Sequence, residues 1–161
     1  PQSRHRIFIV CTRNKPYVFV DVRNPIVPVA SIIDRTVDVF YDYHTKYNLV
    51  PCKPSNRMIK YKLFHKTTGK GGRQGERVYG ISGWGATVCA SSGGPGAKTG
   101  LYEIDGRIRR LTIAETLHMF GFDTSYKYAS LKYPNHILFY LGNSIVVNVL
   151  EHIIRHLQFA K

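Results

Sequence analysis

Two glycine-rich segments, residues 69–75 and 93–100, lie in the middle of this chain and disfavour long helices or strands there. Glycine inside a helix or strand is unfavourable by about 0.5–1 kcal/mol relative to alanine, so segments this rich in glycine predict loops. The stretch between them, "RVYGISGWGATVCAS", is strand-like and is itself interrupted by glycine. The middle of the chain is therefore predicted to consist of strands joined by glycine loops.

Strand candidates also open the chain. "RIFIVCT" (residues 6–12) is a nearly continuous apolar run typical of a buried strand, and "YVFVDV" (residues 17–22) is a second candidate. "VDVFYDYHTKY" (residues 37–47) alternates weakly and fits either a strand or a short helix. A turn is expected around Pro51 and Pro54.

Two clearer patterns flank the glycine loops. "GLYEIDGRIRRLT" (residues 100–112) predicts a hairpin that turns at Asp105–Gly106. "RMIKYKLFHK" (residues 57–66) alternates with period two and predicts an amphipathic strand with a basic exposed face. One side of that strand carries Ile59, Tyr61 and Leu63, and the other carries Lys60, Lys62 and Phe64.

Helices are predicted only late in the chain. Thr112 and Glu115 form a T-x-x-E capping box, and Gly121 stands where that helix is expected to stop. Ser144 is placed to cap the last helix, on which Glu151 and Arg155 form an i,i+4 pair. The fold class is therefore predicted to be α+β, strand-rich in the middle and helical at the end. The helical stripes are Ala114, Leu117 and Phe120, and then Val146, Val147, Leu150, Ile153, Ile154 and Leu157.

The charge of the chain favours a polyanionic partner. Lys and Arg number 23 against 10 acids in 161 residues, a formal charge of +13, and 43% of residues are apolar, enough for one ordinary domain. The charge is clustered between residues 53 and 77, where Glu76 is the single acid. This favours a nucleic-acid partner over a small basic protein whose charge serves solubility. The cluster comprises Lys53, Arg57, Lys60, Lys62, Lys66, Lys70, Arg73 and Arg77.

The remaining composition bears on location. Cys11, Cys52 and Cys89 are far apart, and no CxxC pair occurs, so a reducing cytoplasm is expected. No apolar run approaches the roughly 18 residues that span a bilayer, and no signal peptide is recognised. No membrane partner is predicted. The chain opens at Pro1, which fits a fragment or a subunit without its initiator methionine.

The segment "GKGGRQGERVYG" (residues 69–80) has the composition of a phosphate-binding loop but not its order. A Walker A loop places Gly-Lys-Ser/Thr directly before a helix, whereas Lys70 comes early here and the segment continues into a strand. Arginine can grip guanine through two parallel hydrogen bonds, and glutamine can pair with a base edge. The residues themselves leave two interpretations open, a solvated hairpin loop and a loop that enters a groove of DNA.

Three longer motifs resemble those of cytosine-C5 DNA methyltransferases. "RIRRLTIAETLHMFGF" (residues 107–122) resembles the family's R-x-L-x-x-x-E-x-x-R-x-x-G-[FY]-P motif, and "YLGNSIVVNVLEHI" (residues 140–153) resembles the final motif, which contains G-N-S-V. "PQSRHRIFIV" (residues 1–10) resembles P-Q-x-R-x-R-[IV], which precedes the target-recognition region. The three occur in family order, with a recognition region of plausible length between them, and the resemblance covers essentially the whole chain. It implies a prokaryotic, nucleoid-associated protein.

The resemblance implies a division of the chain. Residues 1–12 would be a strand of the catalytic domain, residues 13–139 the target-recognition domain, and residues 140–161 a helix returning to the catalytic domain. The strand and the helix would complete a Rossmann-like methyltransferase domain located elsewhere. Double-stranded DNA and an N-terminal catalytic half or subunit are the implied partners, and S-adenosyl-L-methionine is the implied cofactor, bound mostly by that other half.

The resemblance also defines which family motifs this chain lacks. The cofactor-binding FxGxG, the Pro-Cys-Gln nucleophile motif and the Glu-Asn-Val motif precede P-Q-x-R-x-R in the family, and none occurs here. Pro51-Cys52 is followed by Lys53 and lies after the arginine motif, so Cys52 is interpreted as a loop cysteine. The chain is therefore expected to be the C-terminal portion of a methyltransferase, either a subunit of a split enzyme or a truncated fragment, and inactive alone.

The family's chemistry assigns roles to the arginines. A cysteine thiolate attacks C6 of a cytosine flipped out of the duplex, a glutamate assists at N3, and C5 takes the methyl group. An arginine of the P-Q-x-R-x-R motif hydrogen-bonds the base and stabilises developing charge. By motif position the catalytic candidates are Arg4 and Arg6, with Arg6 the favoured base contact.

The DNA-binding candidates lie in the two glycine loops. Gln74 has the chemistry to fill the gap left by the flipped cytosine and to bond the orphan guanine, while Arg77 is suited to reading a guanine. Arg73, near which this loop has one residue more than the family's loop, is a further DNA-binding candidate. Thr87, Gly93 and Gly94 match a second loop whose backbone approaches the duplex, and Lys98 and Thr99 match phosphate contacts. Asn143 and Ser144 match the final motif, beside the cofactor.

Some features depart from the family, and other functions remain open. His118 stands where arginine is usual and Asp123 replaces the proline of G-[FY]-P, which bears on the packing of that motif. His152 and His156 are four residues apart, but with no third ligand they are interpreted as surface histidines, and no metal is predicted. A non-enzymatic DNA-binding or modulator protein derived from such an enzyme is the alternative, followed by a ribosome-associated basic protein. A short GC-containing target is expected, without a defined sequence.

Overall fold

A computed structural model describes residues 2, 4–13, 15–20, 27–53, 58–131, 133 and 136–157. Within these residues one five-stranded sheet is followed by three helices. None of the described helices is long and apolar enough to cross a membrane. The strands are β1 (Tyr47–Pro51), β2 (Ile59–His65), β3 (Arg77–Tyr79), β4 (Leu101–Ile104) and β5 (Arg107–Arg109), and the helices are α1 (Ile113–Met119), α2 (Ile137–Gly142) and α3 (Val147–Arg155). Two 3₁₀ turns are also present, Val29–Ile32 and Gln74–Glu76.

The strands lie side by side in chain order, β1-β2-β3-β4-β5. All neighbours are antiparallel except β3 and β4, which pair in parallel through Val78 with Leu101 and Tyr79 with Tyr102. A parallel pair needs a crossover connection, and here residues 80–100, which include the second glycine loop, form it. The sheet therefore brings the two glycine loops together at one end of β3 and β4.

Several expectations from the sequence are confirmed. The strand predicted at residues 57–66 is present as β2, with Leu63 fully buried and Lys60 exposed. Its alternation is only partial, because Lys62 and Phe64 are half-buried and the pairing register shifts between Ile59 and Tyr61, so that Ile59 packs on the opposite face of the sheet from Leu63. β4 and β5 form the predicted hairpin, in which Asp105 (φ 50°) and Gly106 (φ 78°) take the positive φ values that a two-residue type I′ turn requires. An α+β arrangement with a strand-rich middle is therefore present.

The helix α1 begins and ends as its sequence predicts. The Thr112 hydroxyl accepts a hydrogen bond from the N–H of Glu115 at 3.1 Å, and the Glu115 carboxylate accepts one from the N–H of Thr112 at 2.7 Å. These reciprocal bonds are the capping box expected from T-x-x-E. The helix ends at Met119, and Phe120 and Gly121 close its last turn through hydrogen bonds to Leu117 and His118.

The sheet is covered on both faces. One face packs beneath α1 and α2, around Tyr79, Tyr102, Leu117 and Phe120. The other face carries a smaller cluster of Leu63, Val78, Leu101 and Ile108, over which tyrosines of the segment before β2 fold. Because both faces are packed, the sheet is a rigid platform for the loops at its ends.

Other expectations are wrong. Residues 6–12 and the described part of 17–22 form no strand, and Ile7 and Ile9 are 91% and 85% exposed. An apolar run becomes a buried strand only beside a neighbour that accepts its hydrogen bonds, and the described residues supply none for these segments. The segment at 37–47 is neither helix nor strand until β1 begins at Tyr47.

The C-terminal region also differs from its prediction. Ser144 does not cap α3. The helix starts at Val147, its N-cap is Val146, and the Ser144 hydroxyl donates instead to the carbonyl of Ile145 at 3.4 Å. A separate short helix, α2, precedes it and was not predicted. The turn over residues 143–146 lets Val147 donate its N–H to the carbonyl of Phe120, which ties α3 to the end of α1.

Candidate nucleic-acid interface

The two glycine loops dock onto each other backbone to backbone. The N–H of Gly96 donates to the carbonyl of Gly75 at 2.7 Å. A Cβ on Gly75 would lie 1.9 Å from the carbonyl oxygen of Gly93, a distance that no side chain tolerates. A Cβ on Gly93 itself would meet nothing within 4 Å. Gly75 is therefore required for contact between the loops, whereas Gly93 presents open backbone to solvent.

Gln74 opens the 3₁₀ turn of the first loop and reaches the strand-like segment beyond it. Its amide donates to the carbonyl of Thr87 at 2.6 Å and lies 3.3 Å from the Sγ of Cys89. The side chain is half-buried. These bonds hold the glutamine against a segment that begins thirteen residues further along the chain.

Arg77 and Arg73 lie on either side of that turn and differ in exposure. The Arg77 Nε donates to the carbonyl of Gly72 at 2.9 Å, and this hydrogen bond stabilises the first glycine loop. Arg73 extends outward with 80% of its side chain exposed, 3.6 Å from the carboxylate of Glu76. Glu76 is buried and accepts the backbone N–H of Arg73 at 3.0 Å. The single acid of the basic cluster therefore shapes the loop.

The two arginines of the first motif occupy different environments. Arg4 donates to the carbonyls of Val88, Gly142 and Ser144, each at 2.9 Å, and its guanidinium lies 5.5 Å from the centre of the Phe120 ring. Burial, and secondarily the cation of Arg6, lower the pKa of Arg4, while Cys89 acts in the opposite direction. Arg4 therefore joins the second loop to the turn before α3.

Arg6 is exposed. Its guanidinium donates to the carbonyl of His5 at 2.7 Å, directly before it in the chain. No other hydrogen bond of this side chain occurs within the part of the chain that the structure describes. An exposed guanidinium with donors to spare is suited to a contact outside the chain.

One cavity joins the first motif to the glycine loops. It encloses about 150 Å³ and is lined by His5 from the arginine motif, by Gln74 from the first glycine loop, by Arg77 from β3 and by Thr87 from the segment between the two loops. Gln74 lies 69 positions after His5 in the chain, so only the tertiary structure brings the arginine motif to this wall. The sequence does not indicate five further lining residues as candidates: His5, Tyr79, Trp84, Gly85 and Ala86. Of these residues, Trp84 is the one that the sequence could have indicated, because a tryptophan between two glycines is unusual for a core residue.

The other DNA-binding candidates of the second loop differ in their exposure to solvent. Lys98 has a positive φ of 72°, a strained conformation for a lysine, held by its N–H donating to the Ser92 hydroxyl at 2.6 Å. Thr99 is fully buried, and its hydroxyl donates to the carbonyl of Gly100 at 3.1 Å. Gly94 lies exposed beside Gly75. In this conformation Thr99 supports the loop from inside rather than facing solvent.

Asn143 and Ser144 lie at the start of the turn before α3, on the wall of an open cavity of about 420 Å³. The rest of this wall is mainly apolar, with Phe122, Ile145 and Leu150. The Asn143 amide donates to the carbonyl of Phe139 at 3.3 Å. One polar edge beside an apolar wall fits the flank of a nucleoside-bearing cofactor, and it is too sparse in donors to hold such a molecule alone.

The remaining candidates behave as surface or loop groups. The rings of His152 and His156 lie 4.5 Å apart, and no group of three potential metal-binding side chains occurs among the described residues. Cys52 is a free, half-buried cysteine that lines a different cavity, of about 540 Å³, beside β2. Neither feature lies at the junction of the arginine motif and the glycine loops.

A buried ion pair fixes the sheet to α1. Arg109 and Glu115 are 2% and 1% exposed and share two hydrogen bonds of 2.7 Å. Glu115 also accepts the N–H groups of Asp34 and Thr112. Burial by itself raises the pKa of Glu115, but the hydrogen bonds and charge of Arg109 with these N–H donors outweigh it and hold the pKa below its ordinary value of 4.5.

An apolar surface lies away from the glycine loops. α3 has no buried residue, and Leu150 and Ile154 remain exposed along it. The N-terminal segment runs beside this helix, where Tyr17 donates its hydroxyl to the carbonyl of Ile153 at 3.3 Å. Exposed apolar side chains occur along the N-terminal segment, in the turn before α3 and on α3 itself. They are Ile7, Ile9, Val18, Phe19, Val20, Ile145, Val149, Leu150 and Ile154.

Comparison with known proteins agrees with the three motifs. The family model described as C-5 cytosine-specific DNA methylase matches residues 1–158. The chain is 31% identical over 166 aligned positions to the type II methyltransferase M.HhaI of Haemophilus parahaemolyticus, an alignment that covers 95% of this chain and 47% of that protein. The chain therefore spans about half the length of this relative, and it belongs to the C-5 cytosine-specific DNA methylase family.

Proposed function

We propose that this chain is the C-terminal, DNA-recognising portion of a DNA (cytosine-5-)-methyltransferase. The observation that carries the proposal is the cavity where His5 of the arginine motif meets Gln74 of the first glycine loop, Arg77 and Thr87. In a methyltransferase that flips its target, the group that handles the extruded cytosine must lie close to the groups that replace it in the duplex. A cleft lined by Arg77 and His5, in a chain whose formal net charge is +13, suits DNA.

Gln74 and Arg77 are the proposed base contacts. Gln74 offers an amide that can exchange its bond to the Thr87 carbonyl for the edge of the orphan guanine. Arg77 uses its Nε to hold Gly72, which leaves its terminal nitrogens for the major-groove edge of a guanine. Arg73, Gly93, Gly94 and Lys98 would follow the phosphate backbone from the outer surfaces of the loops. Thr87 and the buried Thr99 would keep the loops in place.

Within the arginine motif the proposed roles are divided. Arg6 is the proposed contact to the flipped cytosine, because its guanidinium is exposed one residue beyond the cavity. A fixed cation there would stabilise negative charge that develops on the base. Arg4 is a positioning residue, because its three carbonyl contacts set the distance between the motif, the second loop and the final motif.

The cofactor site would be completed outside this chain. S-adenosyl-L-methionine supplies the methyl group when bound. Asn143 and Ser144 are the proposed flank of its site, with the apolar wall of Phe122 and Ile145 excluding water. Asp34, Arg109 and Glu115 do not line this wall, and their hydrogen bonds to one another stabilise the fold.

An N-terminal catalytic half is the proposed cover for the apolar surface that includes Ile7, Ile9 and α3. The alignment with M.HhaI leaves about half of that protein outside this chain. The Pro-Cys-Gln and FxGxG motifs do not occur in these residues, so the nucleophile and most of the cofactor site would come from that half. Residues 1–12 and 140–161 would then join the catalytic domain, and residues 13–139 would remain the target-recognition domain.

The test is methyl transfer from labelled S-adenosyl-L-methionine to G·C-rich duplex, with this chain alone and with a co-expressed half that carries the Pro-Cys-Gln motif. We expect no incorporation by the chain alone and incorporation at C5 of cytosine by the pair. The Arg77→Ala variant should lower the rate, and the Arg35→Ala variant, which removes an exposed arginine paired to Asp105 away from the cavity, should not. Incorporation by the chain alone would contradict the division of labour, and DNA binding without incorporation by the pair would favour a modulator.

A further inference from the structure

The only tryptophan of the chain lies on the wall of the cavity between the arginine motif and the glycine loops. Trp84 is 41% exposed, although tryptophan is among the side chains most buried on average in folded proteins. It shares the cavity with His5, Gln74 and Arg77 rather than joining the apolar clusters on either face of the sheet. Core packing therefore does not account for its position.

The backbone that carries Trp84 is held on both sides. The carbonyl of Gly83 accepts the N–H of Val29 at 3.0 Å, and the N–H of Ala86 donates to the buried hydroxyl of Tyr102 at 3.0 Å. A Cβ on Gly85 would lie 2.7 Å from that hydroxyl and 2.8 Å from the Cε of Met119. The ring is thus presented to solvent from a rigid base, which lowers the entropy lost when it binds something.

The size and chemistry of the cavity define what it can admit. A volume of about 150 Å³ is enough for one six-membered aromatic ring. Its walls offer aromatic faces from Trp84 and Tyr79, an amide from Gln74 and a guanidinium from Arg77, and none of the described residues that line it is acidic. A planar, polar-edged ring with a negatively charged backbone attached matches these walls, and that is the description of an unstacked nucleobase.

We propose that Trp84 is a DNA-contacting residue: its indole is the surface on which an unstacked base packs between the reading loop and the arginine motif. The inference rests on the proposed function, because it assigns a further contact within the same DNA site. A catalytic half would instead cover the apolar side that includes Ile7, Ile9 and α3, where the exposed aliphatic side chains lie. The polar and cationic walls around Trp84 favour nucleic acid over such a protein surface.

The test uses the chain assembled with its catalytic half and two G·C-rich duplexes. The test duplex carries a single mismatched cytosine. The control duplex has the same sequence but carries an abasic site at that position, which leaves no base to stack on the indole. Since base–aromatic stacking is worth about 1–3 kcal/mol per base, Trp84→Ala should weaken binding of the mismatched duplex by about 5- to 100-fold. Binding of the abasic duplex should change less than about 2-fold, because no base is lost from the ring.

Matched variants separate this role from a structural one. Trp84→Phe keeps an aromatic face and should restore most of the affinity, whereas Tyr126→Ala, which removes an exposed aromatic side chain outside the cavity, should change neither duplex. Light-induced crosslinking of 5-iodouracil, placed at the mismatched position, should join the DNA to the peptide that contains Trp84. Crosslinking to that peptide would support the inference.

Three outcomes would overturn it. Equal weakening of both duplexes by Trp84→Ala would mean that the ring supports the fold or contacts only the backbone. An unchanged affinity for DNA with weaker assembly of the two halves would mean that Trp84 packs against protein. If the unsubstituted assembly bound neither duplex, the proposed function would fail as well, and that result is distinct from loss confined to the Trp84 variants.

Discussion

At the scale of single residues, identical side chains two positions apart do different work. Arg4 turns inward to three carbonyls and Arg6 remains at the surface, although both belong to one short motif. Both arginines match the motif and are candidates for the contact to the cytosine, and their positions in the motif favour Arg6. What separates them physically is that residues 88, 142 and 144 place unpaired carbonyls within reach of Arg4.

The Arg4→Ala variant should destabilise the protein without removing the cytosine contact itself. Loss of a charged donor from three carbonyls is expected to lower the free energy of unfolding by about 2–3 kcal/mol. Arg6→Ala should leave that free energy within about 0.5 kcal/mol and instead lower the methylation rate of the assembled enzyme. Urea denaturation measures the first effect and methyl incorporation the second. Equal destabilisation by the two variants would contradict the division of roles.

At the scale of elements, the glycine loops act as a pair. The first loop was expected to enter a groove of DNA and the second to approach the duplex with bare backbone. The structure adds that the loops bind each other first, through Gly75 and Gly96, and that Gln74 reaches across to Thr87. The two loops therefore behave as one unit, and a change in either loop should move the other.

Gly75→Ala and Gly93→Ala form a matched pair of loop variants. The new methyl group on residue 75 meets the Gly93 carbonyl, so this variant should lose about 1–3 kcal/mol of stability together with DNA affinity. The methyl group on residue 93 meets open space, so stability should be kept. DNA affinity should nevertheless fall if backbone there approaches the duplex. Unchanged DNA binding by Gly93→Ala would place the duplex elsewhere.

The buried pair that joins β5 to α1 predicts a pH dependence. The folded-state pKa of Glu115 is below 4.5, so its contribution to stability is complete above the unfolded value and is lost as the pH falls through the folded one. The free energy of unfolding should therefore decline below about pH 4.5. Glu115→Gln should be less stable by about 3–5 kcal/mol at neutral pH, because it leaves Arg109 unpaired, and should show a shallower acid slope.

A double variant checks that interpretation. Arg109→Met with Glu115→Gln removes the buried cation as well, and it should be more stable than Glu115→Gln alone at pH 7. Chemical denaturation between pH 3 and 7 gives the slopes. The exposed carboxylates of Asp34 and Asp123, whose pKa values are also lowered by hydrogen bonds to neighbouring hydroxyl and N–H groups, remain in every variant and set the background. An unchanged acid slope in Glu115→Gln would contradict the prediction.

Across the whole molecule, the exposed aliphatic side chains of Ile7, Ile9 and α3 are distinct from the cleft with Arg77 and His5, because none of them lines it. This distinction fits a unit that binds DNA at the cleft and a protein at the aliphatic side chains. It also accounts for the failed strand predictions, since a strand at residues 6–12 needs a neighbour to pair with.

The Ile7→Ser, Ile9→Ser double variant should weaken assembly with the catalytic half. Burying an isoleucine contributes about 1.5–3 kcal/mol, so loss of two is expected to weaken assembly by at least about 100-fold. The chain alone should bind less of a dye specific for apolar surface. Val39→Ser, which changes an exposed valine outside this surface, should do neither. Isothermal titration of one half with the other measures the effect, and tight assembly of the double variant would exclude this surface.

Elements whose signals are local can be predicted from the sequence. The Asp105–Gly106 hairpin, the Thr112–Glu115 capping box and the strand β2 depend on residues a few positions apart, and all three are present, although β2 alternates only in part. Family membership could likewise be inferred from three motifs, because their spacing and order are properties of the chain. The fold class followed from the glycine loops that exclude long elements in the middle.

The assembly of the site depends on contacts between segments that are distant in the chain. His5, Gln74 and Trp84 share a cavity because β3 and β4 pair in parallel across a long crossover, and no local pattern encodes that pairing. The inward turn of Arg4, the burial of Thr99 and the start of α3 at Val147 rather than after Ser144 depend in the same way on distant backbone groups. Local bonding can be read along the chain, whereas close contacts between distant segments are set by how the whole sheet and its helices pack.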